Sequence, residues 1–183
     1  MLLTYTELTH LLDTGVVRGA HKAHVGAASL DVVLGSKIMV EAPCGGASSV
    51  VDLFDKQTPA LREIDMLKTG YFDLAPGQFC LAETVERFFL PDDVAAEVKM
   101  RSSLARSGLD HALAGWADPG WNNSVLTLEL TNSLRYHALR LRPGLKIAQM
   151  IFWRGERVPE HASYAVRGRY NHDTGVQASK GVR

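Results

Sequence analysis

Turns punctuate this chain at short, regular intervals, and that rhythm restricts its fold more than any other feature does. From Tyr71 onward, brief apolar stretches are separated by Pro76-Gly77, Pro91-Asp92, Asp118-Pro119-Gly120 and Pro143-Gly144. Proline presets one backbone angle of a turn and glycine accepts left-handed angles that other residues avoid, so the stretches between them read as short strands. Two segments alternate cleanly. Leu126, Leu128 and Leu130 share one face of residues 125–131, with Val125, Thr127, Glu129 and Thr131 on the other. Leu30, Val32 and Leu34 likewise oppose Ser29 and Asp31. A period of two is that of a half-buried strand. Many such strands predict a mainly β chain, a distorted jelly roll or β-sandwich.

Helix is expected at the start, where Thr4 and Glu7 have capping-box spacing, Leu8, Leu11 and Leu12 share a face, and Gly15 can end the turn. Residues 41–70 read as an excursion. Cys44 to Ser49 form a small-residue loop, and the charged stretch from Leu61 to Leu67 fits either a brief helix or a long β-connection. The segment from Gly155 to Arg183 has few large apolar residues and many Arg, Gly, Ser and His, so a flexible tail is expected there, not core. With 183 residues, no repeat and no linker, residues 1–183 read as one domain ending in that tail.

Composition narrows the functions. No apolar run approaches the roughly 20 residues that span a bilayer, so no membrane partner is expected. The opening MLLTYTEL lacks the basic and apolar regions of a secretory signal, which points to the cytoplasm. Cys44 and Cys80 stand outside Cys-x-x-Cys spacing and read as buried thiols. His10, His21, His24, His111, His137, His161 and His172 show no metal-ligand spacing and read as surface or core residues. The His-x-Glu and Pro-Cys-x-x-Cys pattern of the zinc deaminases does not occur either, so no zinc is expected. Charge is balanced at 20 basic and 20 acidic residues, which argues against non-specific nucleic-acid binding. The halves differ, however: residues 1–98 hold 7 basic against 14 acidic residues, and residues 99–183 hold 13 against 6. A cationic second half suits an anionic ligand such as a polyphosphate, although on charge alone two halves that merely neutralise each other explain it as well.

Three segments carry more polar chemistry than a plain sandwich needs. In RSSLARSGL, Arg101, Ser102, Ser103 and Arg106 surround a bend at Gly108, and Arg forks with Ser hydroxyls can cradle phosphate oxygens. Alone, such a string is more commonly a surface loop. In AGWADPGW, Asp118 sits in a turn between Trp116 and Trp121, able to bind a sugar hydroxyl while the rings contact a base; a purely structural turn is the alternative. Glu129 is a carboxylate within the strand LTLEL. Lining a cavity it would be desolvated and serve as a general base, whereas facing water it would do nothing.

Together these segments resemble the dCTP deaminase branch of the dUTPase-like trimeric superfamily. The resemblance runs from ASLDVVLG (28–35) through FDLAPGQFCLAETVERFFLPDDV (72–94), RSSLARSGL, AGWADPGW and LTLEL to LRPGLKIAQMIF (141–152), and more loosely over 164–180. It implies a dUTPase-like fold and deamination of dCTP to dUTP and ammonia, supplying dUTP for thymidylate synthesis. Glu129 would be the general base on a water attacking C4 of cytosine, Arg106 and Ser102 would hold the reacting groups, and the Ala114 carbonyl would orient the water. Arg101, Ser102 and Ser103 would contact the phosphates, Asp118 the 3′-hydroxyl and the backbone around Thr127 the pyrimidine edge. The tail, through Tyr164, Arg169 and Tyr170, would close over the triphosphate. Mg²⁺ would accompany the phosphates, and a homotrimer would share its sites between subunits.

The chain departs from the pattern it resembles at Ala117, where a bulkier aliphatic residue usually meets the sugar, at Asp173, where Gln is usual near the phosphates, and at Arg169, where Lys is usual. Trp116 between Gly115 and Ala117 resembles members that also cleave the triphosphate. The alternatives are therefore a dUTP pyrophosphatase, a bifunctional enzyme yielding dUMP, or a non-catalytic nucleotide-binding regulatory trimer.

Overall fold

The computed structural model describes residues 1–43, 50–54, 58–112 and 114–181. Along it run α1 (Tyr5–Asp13), β1 (Val17–Arg18), β2 (Leu30–Glu41), β3 (Leu61–Asp65), α2 (Met66–Thr69), β4 (Phe72–Leu74), β5 (Phe79–Phe89), β6 (Val94–Met100), α3 (Ser102–Ala105), β7 (Leu109–His111), β8 (Trp116–Ala117), β9 (Asn122–Asn132), β10 (Leu139–Leu141), β11 (Lys146–Arg154) and α4 (Tyr164–Arg167). The chain is mainly β, as its turns imply.

In α1 the Thr4 backbone N–H and hydroxyl both donate to Glu7 Oε2, at 2.8 and 3.0 Å, which satisfies the helix start. Leu8 and Leu11 are buried, Leu12 is half-buried, and Gly15 leaves the helix at φ +74°. The stretch 61–67 is both things it could have been. Residues 61–65 pair with β2 as β3, and Asp65 Oδ1 then accepts the Leu67 N–H at 3.0 Å to start α2. The small-residue loop at 44–49 lies outside the described residues.

The main sheet is antiparallel throughout, in the order β7-β9-β5-β2-β11-β6-β8, with β1 added to β5 and β3 to β2. Its curl comes from β2, whose residues 30–33 pair with β11 while residues 34–41 pair with β5 and β3. Where β2 changes partners the ladder is interrupted, and side chains of β5 replace the missing bonds. Glu86 Oε2 accepts the Val33 N–H at 2.9 Å and Glu83 Oε1 accepts the Lys37 N–H at 3.2 Å; on the other edge of β5, where its pairing with β9 shifts, Thr84 Oγ1 accepts the Leu126 N–H at 3.0 Å. Buried backbone donors must find partners, so these polar residues belong to the fold even inside an apolar strand. Glu86 is fully buried, and burial pushes its carboxyl up to about 7.

The core lies between the layers of this curled sheet and is capped by α1, with Leu30, Val32, Leu34, Leu128, Leu130, Met150 and Phe152 all fully buried. Cys80 is buried as expected, and the interior pushes its thiol up to about 12. Cys44 lies outside the described residues.

After β11 the chain turns back and runs along β9. Trp121 Nε1 donates to the Tyr170 carbonyl at 2.7 Å, the Asn122 N–H to Asn171 Oδ1 at 2.9 Å and the Val125 N–H to the Asp173 carbonyl at 2.9 Å. Glu83 Oε2 accepts the Val176 N–H at 3.0 Å, and Thr127 Oγ1 accepts the Gln177 N–H at 3.1 Å. Ser163 and Val176 are buried, so the tail contributes to the interior at these two points. Among the described residues, no helix is long and apolar enough to cross a membrane.

Candidate active site

A cavity of about 490 Å³, within the usual range of small-molecule sites, opens beside β9. One wall is Ala114, Trp116, Ala117 and Asp118; β9 gives Val125, Leu126, Thr127 and Glu129; the tail gives Tyr164, Tyr170 and Asp173; Pro59, Leu61, Phe79 and Leu81 make an apolar side. Leu126, expected to point away from Glu129, lines the same cavity. The pairing of β9 with β5 shifts between Glu83 and Arg87, which breaks the alternation there.

Glu129 faces this cavity with its side chain 26% exposed, and burial raises its carboxyl above the ordinary value. His111 Nε2 stands 3.3 Å from Glu129 Oε2. The imidazole is itself buried, and burial lowers its pKa. Each group is thus driven toward its neutral form, a carboxyl and an imidazole side by side. Sequence reasoning left His111 among scattered histidines. Its place is set by β7 pairing with β9, His111 opposite Leu130, which no local spacing discloses.

Asp118 Oδ1 accepts the Trp116 indole N–H at 2.9 Å, which fixes the carboxylate at the cavity rim. The following Gly120 has φ +88°, and a Cβ there would come within 2.1 Å of Ser163 Oγ; only glycine lets the root of the tail sit on this turn. Ser163 Oγ in turn donates to Asp92 at 2.7 Å, and the Tyr164 N–H to the Pro119 carbonyl at 3.0 Å. Tyr164 is half-buried, and its hydroxyl accepts the Tyr170 N–H at 3.4 Å.

The phosphate-cradle residues lie elsewhere. Arg101 caps α3 and pairs with Asp31 at 2.5 Å, an aspartate also within 3.2 Å of Lys146. Ser102, Ser103 and Arg106 are exposed, and none of the four lines the cavity; neither does Arg169. One chain therefore brings Glu129, Ala114, Trp116, Ala117, Asp118, Thr127, Tyr164, Tyr170 and Asp173 together and holds the Arg-Ser cluster apart from them. Among the described residues no group of three or more His, Cys, Asp or Glu side chains is disposed to hold a metal ion.

The fold is a curled, mainly β sheet whose cavity is lined by β9, the turn around Asp118, the tail and an apolar side from residues 59–81. A crystal structure of 2′-deoxycytidine 5′-triphosphate deaminase from Agrobacterium tumefaciens aligns with a TM-score of 0.65, covering 84% of this chain at 24% identity. This chain spans about half of that one, 49% of its length, and the likeness is one of fold. The family model described as dCTP deaminase-like matches residues 2–155, and the chain belongs to that family. Among its relatives, "dCTP deaminase, dUMP-forming" from Aquifex aeolicus is 36% identical over 182 residues, 98% of this chain and 94% of that protein. The protein of the same name from Methanoregula boonei is 38% identical over 130 residues, 70% of this chain and 68% of that one. Both are named for forming dUMP, which overturns the expectation of dUTP as the product.

Proposed function

We propose that the chain converts dCTP and two waters into dUMP, diphosphate and ammonia. Glu129 in the cavity wall carries this reading: a carboxyl whose pKa is raised by burial, beside an imidazole, is suited to act as a general base. As the base it takes a proton from the water that adds at C4 of the cytosine, and it returns that proton to the departing amine. The C4–N bond breaks and ammonia leaves. A second water adds at the α-phosphorus and diphosphate departs. The Ala114 carbonyl orients the first water, Asp118 accepts the sugar 3′-hydroxyl and the backbone at Thr127 meets the pyrimidine edge. Ala117 leaves the sugar wall shallow.

The separation of the Arg-Ser cluster from this cavity supports a homotrimer in which Arg101, Ser102, Ser103 and Arg106 come from a neighbouring copy. There Arg106 and Ser102 hold the reacting groups, and the others bind phosphate oxygens. Tyr164, Arg169 and Tyr170 close the tail over the triphosphate and keep other water out. Asp118 and Asp173 are already bonded to Trp116 and Lys180, so the phosphates themselves suit as the ligands of a Mg²⁺ that would offset their charge. The nucleotide pool of the cytoplasm is where such a substrate is met. Incubation of the purified protein with dCTP and Mg²⁺, followed by chromatographic separation, should yield dUMP, diphosphate and ammonia in equal amounts. Accumulation of dUTP as the end product, or release of no ammonia, would overturn the reading.

A further inference from the structure

Asp173 puts a carboxylate, its side chain only 13% exposed, into the wall of a cavity read above as the seat of a polyanion. An uncompensated negative charge there would oppose the ligand. The structure supplies the compensation from the same tail. Lys180 Nζ lies 2.8 and 3.0 Å from the two Asp173 carboxylate oxygens and donates to the Arg169 carbonyl at 2.7 Å. The Lys180 backbone N–H donates to the Tyr170 hydroxyl at 3.0 Å, and the ammonium sits 4.8 Å from the centre of that ring. Five contacts thus fix one lysine, and the loop they close presents Gln177, Ala178 and Ser179 to the cavity.

We propose that Lys180 is a positioning residue that cancels the Asp173 charge and closes the tail loop, making this wall compatible with a triphosphate. The lysine acts through the aspartate and not on the phosphates directly. This rests on the triphosphate reading of the cavity and adds to it the residue that makes the tail tolerant of that charge.

A double-mutant cycle tests it. Lys180→Ala should raise KM for dCTP about tenfold with kcat changed by less than about twofold, and Lys180→Arg, which keeps the charge, should restore most of KM. In an Asp173→Asn background, where no charge remains to be cancelled, the same Lys180→Ala change should cost less than about threefold in KM. An equal cost in both backgrounds would show that Lys180 contacts the ligand independently of Asp173 and would overturn the proposal. Calorimetric titration of the four proteins with inorganic triphosphate separates this from the proposed function. A coupled cycle for triphosphate in a protein that does not turn over dCTP would sink the function and keep the inference. Turnover of dCTP with an uncoupled cycle would do the reverse.

Discussion

Glu129 shows how little a residue's type says and how much its surroundings do. On a strand facing water it would be an ordinary surface carboxylate, but here burial holds it back from ionising and His111 sits within 3.3 Å. Glu129→Gln keeps the shape and removes the base, so kcat should fall by at least about 100-fold while dCTP binding changes little. Steady-state rates and calorimetric binding measure the two separately; ammonia release at the wild-type rate would remove Glu129 from the mechanism. The pH dependence follows from the same burial. A base must be ionised, and a raised pKa delays ionisation, so kcat/KM should climb with pH through a limb lying above the ordinary glutamate value of 4.5. Because burial lowers the pKa of His111, its neutral form prevails above that lowered value.

Among the elements, β2 and β5 settle where the sheet bends, and Glu86 is the side chain at the bend. Its folded-state carboxyl is raised to about 7 from 4.5, so burial favours the protonated form. Between those values the unfolded chain has released a proton that the folded chain still holds. Stability should therefore fall as pH rises through this window, by up to about 3 kcal/mol, and level off above it. Urea unfolding at pH 5 and pH 8 reads this directly. Glu86→Gln cannot ionise and should show a smaller fall than the wild type; an equal fall in both would place Glu86 ionisation outside the window. On its other edge β5 shifts register against β9, and there Leu126 enters the cavity wall.

At the scale of the whole molecule, one chain carries the two halves of the proposed site on separate surfaces. Light scattering should find a trimer. Glu129→Gln and Arg106→Ala should each be nearly inactive alone, yet a refolded equimolar mixture should recover roughly a quarter of the wild-type rate, since mixed assemblies pair an intact Glu129 with an intact Arg106 across an interface. No recovery from a mixture that has formed mixed trimers would show that each site is built within one chain.

Local chemistry by itself determined the first helix, the alternating strands and the turns between them. The alternation of Leu30, Val32 and Leu34, the Thr4–Glu7 cap and the Pro-Gly turns each act over a few residues, so they could be read before any contact was known. The motif strings likewise pointed to the family, whose model matches residues 2–155, and to Glu129 as a residue of interest. Tertiary structure alone decided the rest, because each remaining feature joins distant parts of the chain. The approach of His111 to Glu129 depends on strand pairing, the seating of residues 163–177 along β9 depends on bonds to Asp92, Trp121, Ser124 and Glu83, and the break opposite Leu126 depends on the register between β5 and β9. A periodic pattern assigns residues to faces, but only packing determines which face encloses a cavity and is desolvated enough to change the chemistry of a carboxyl group.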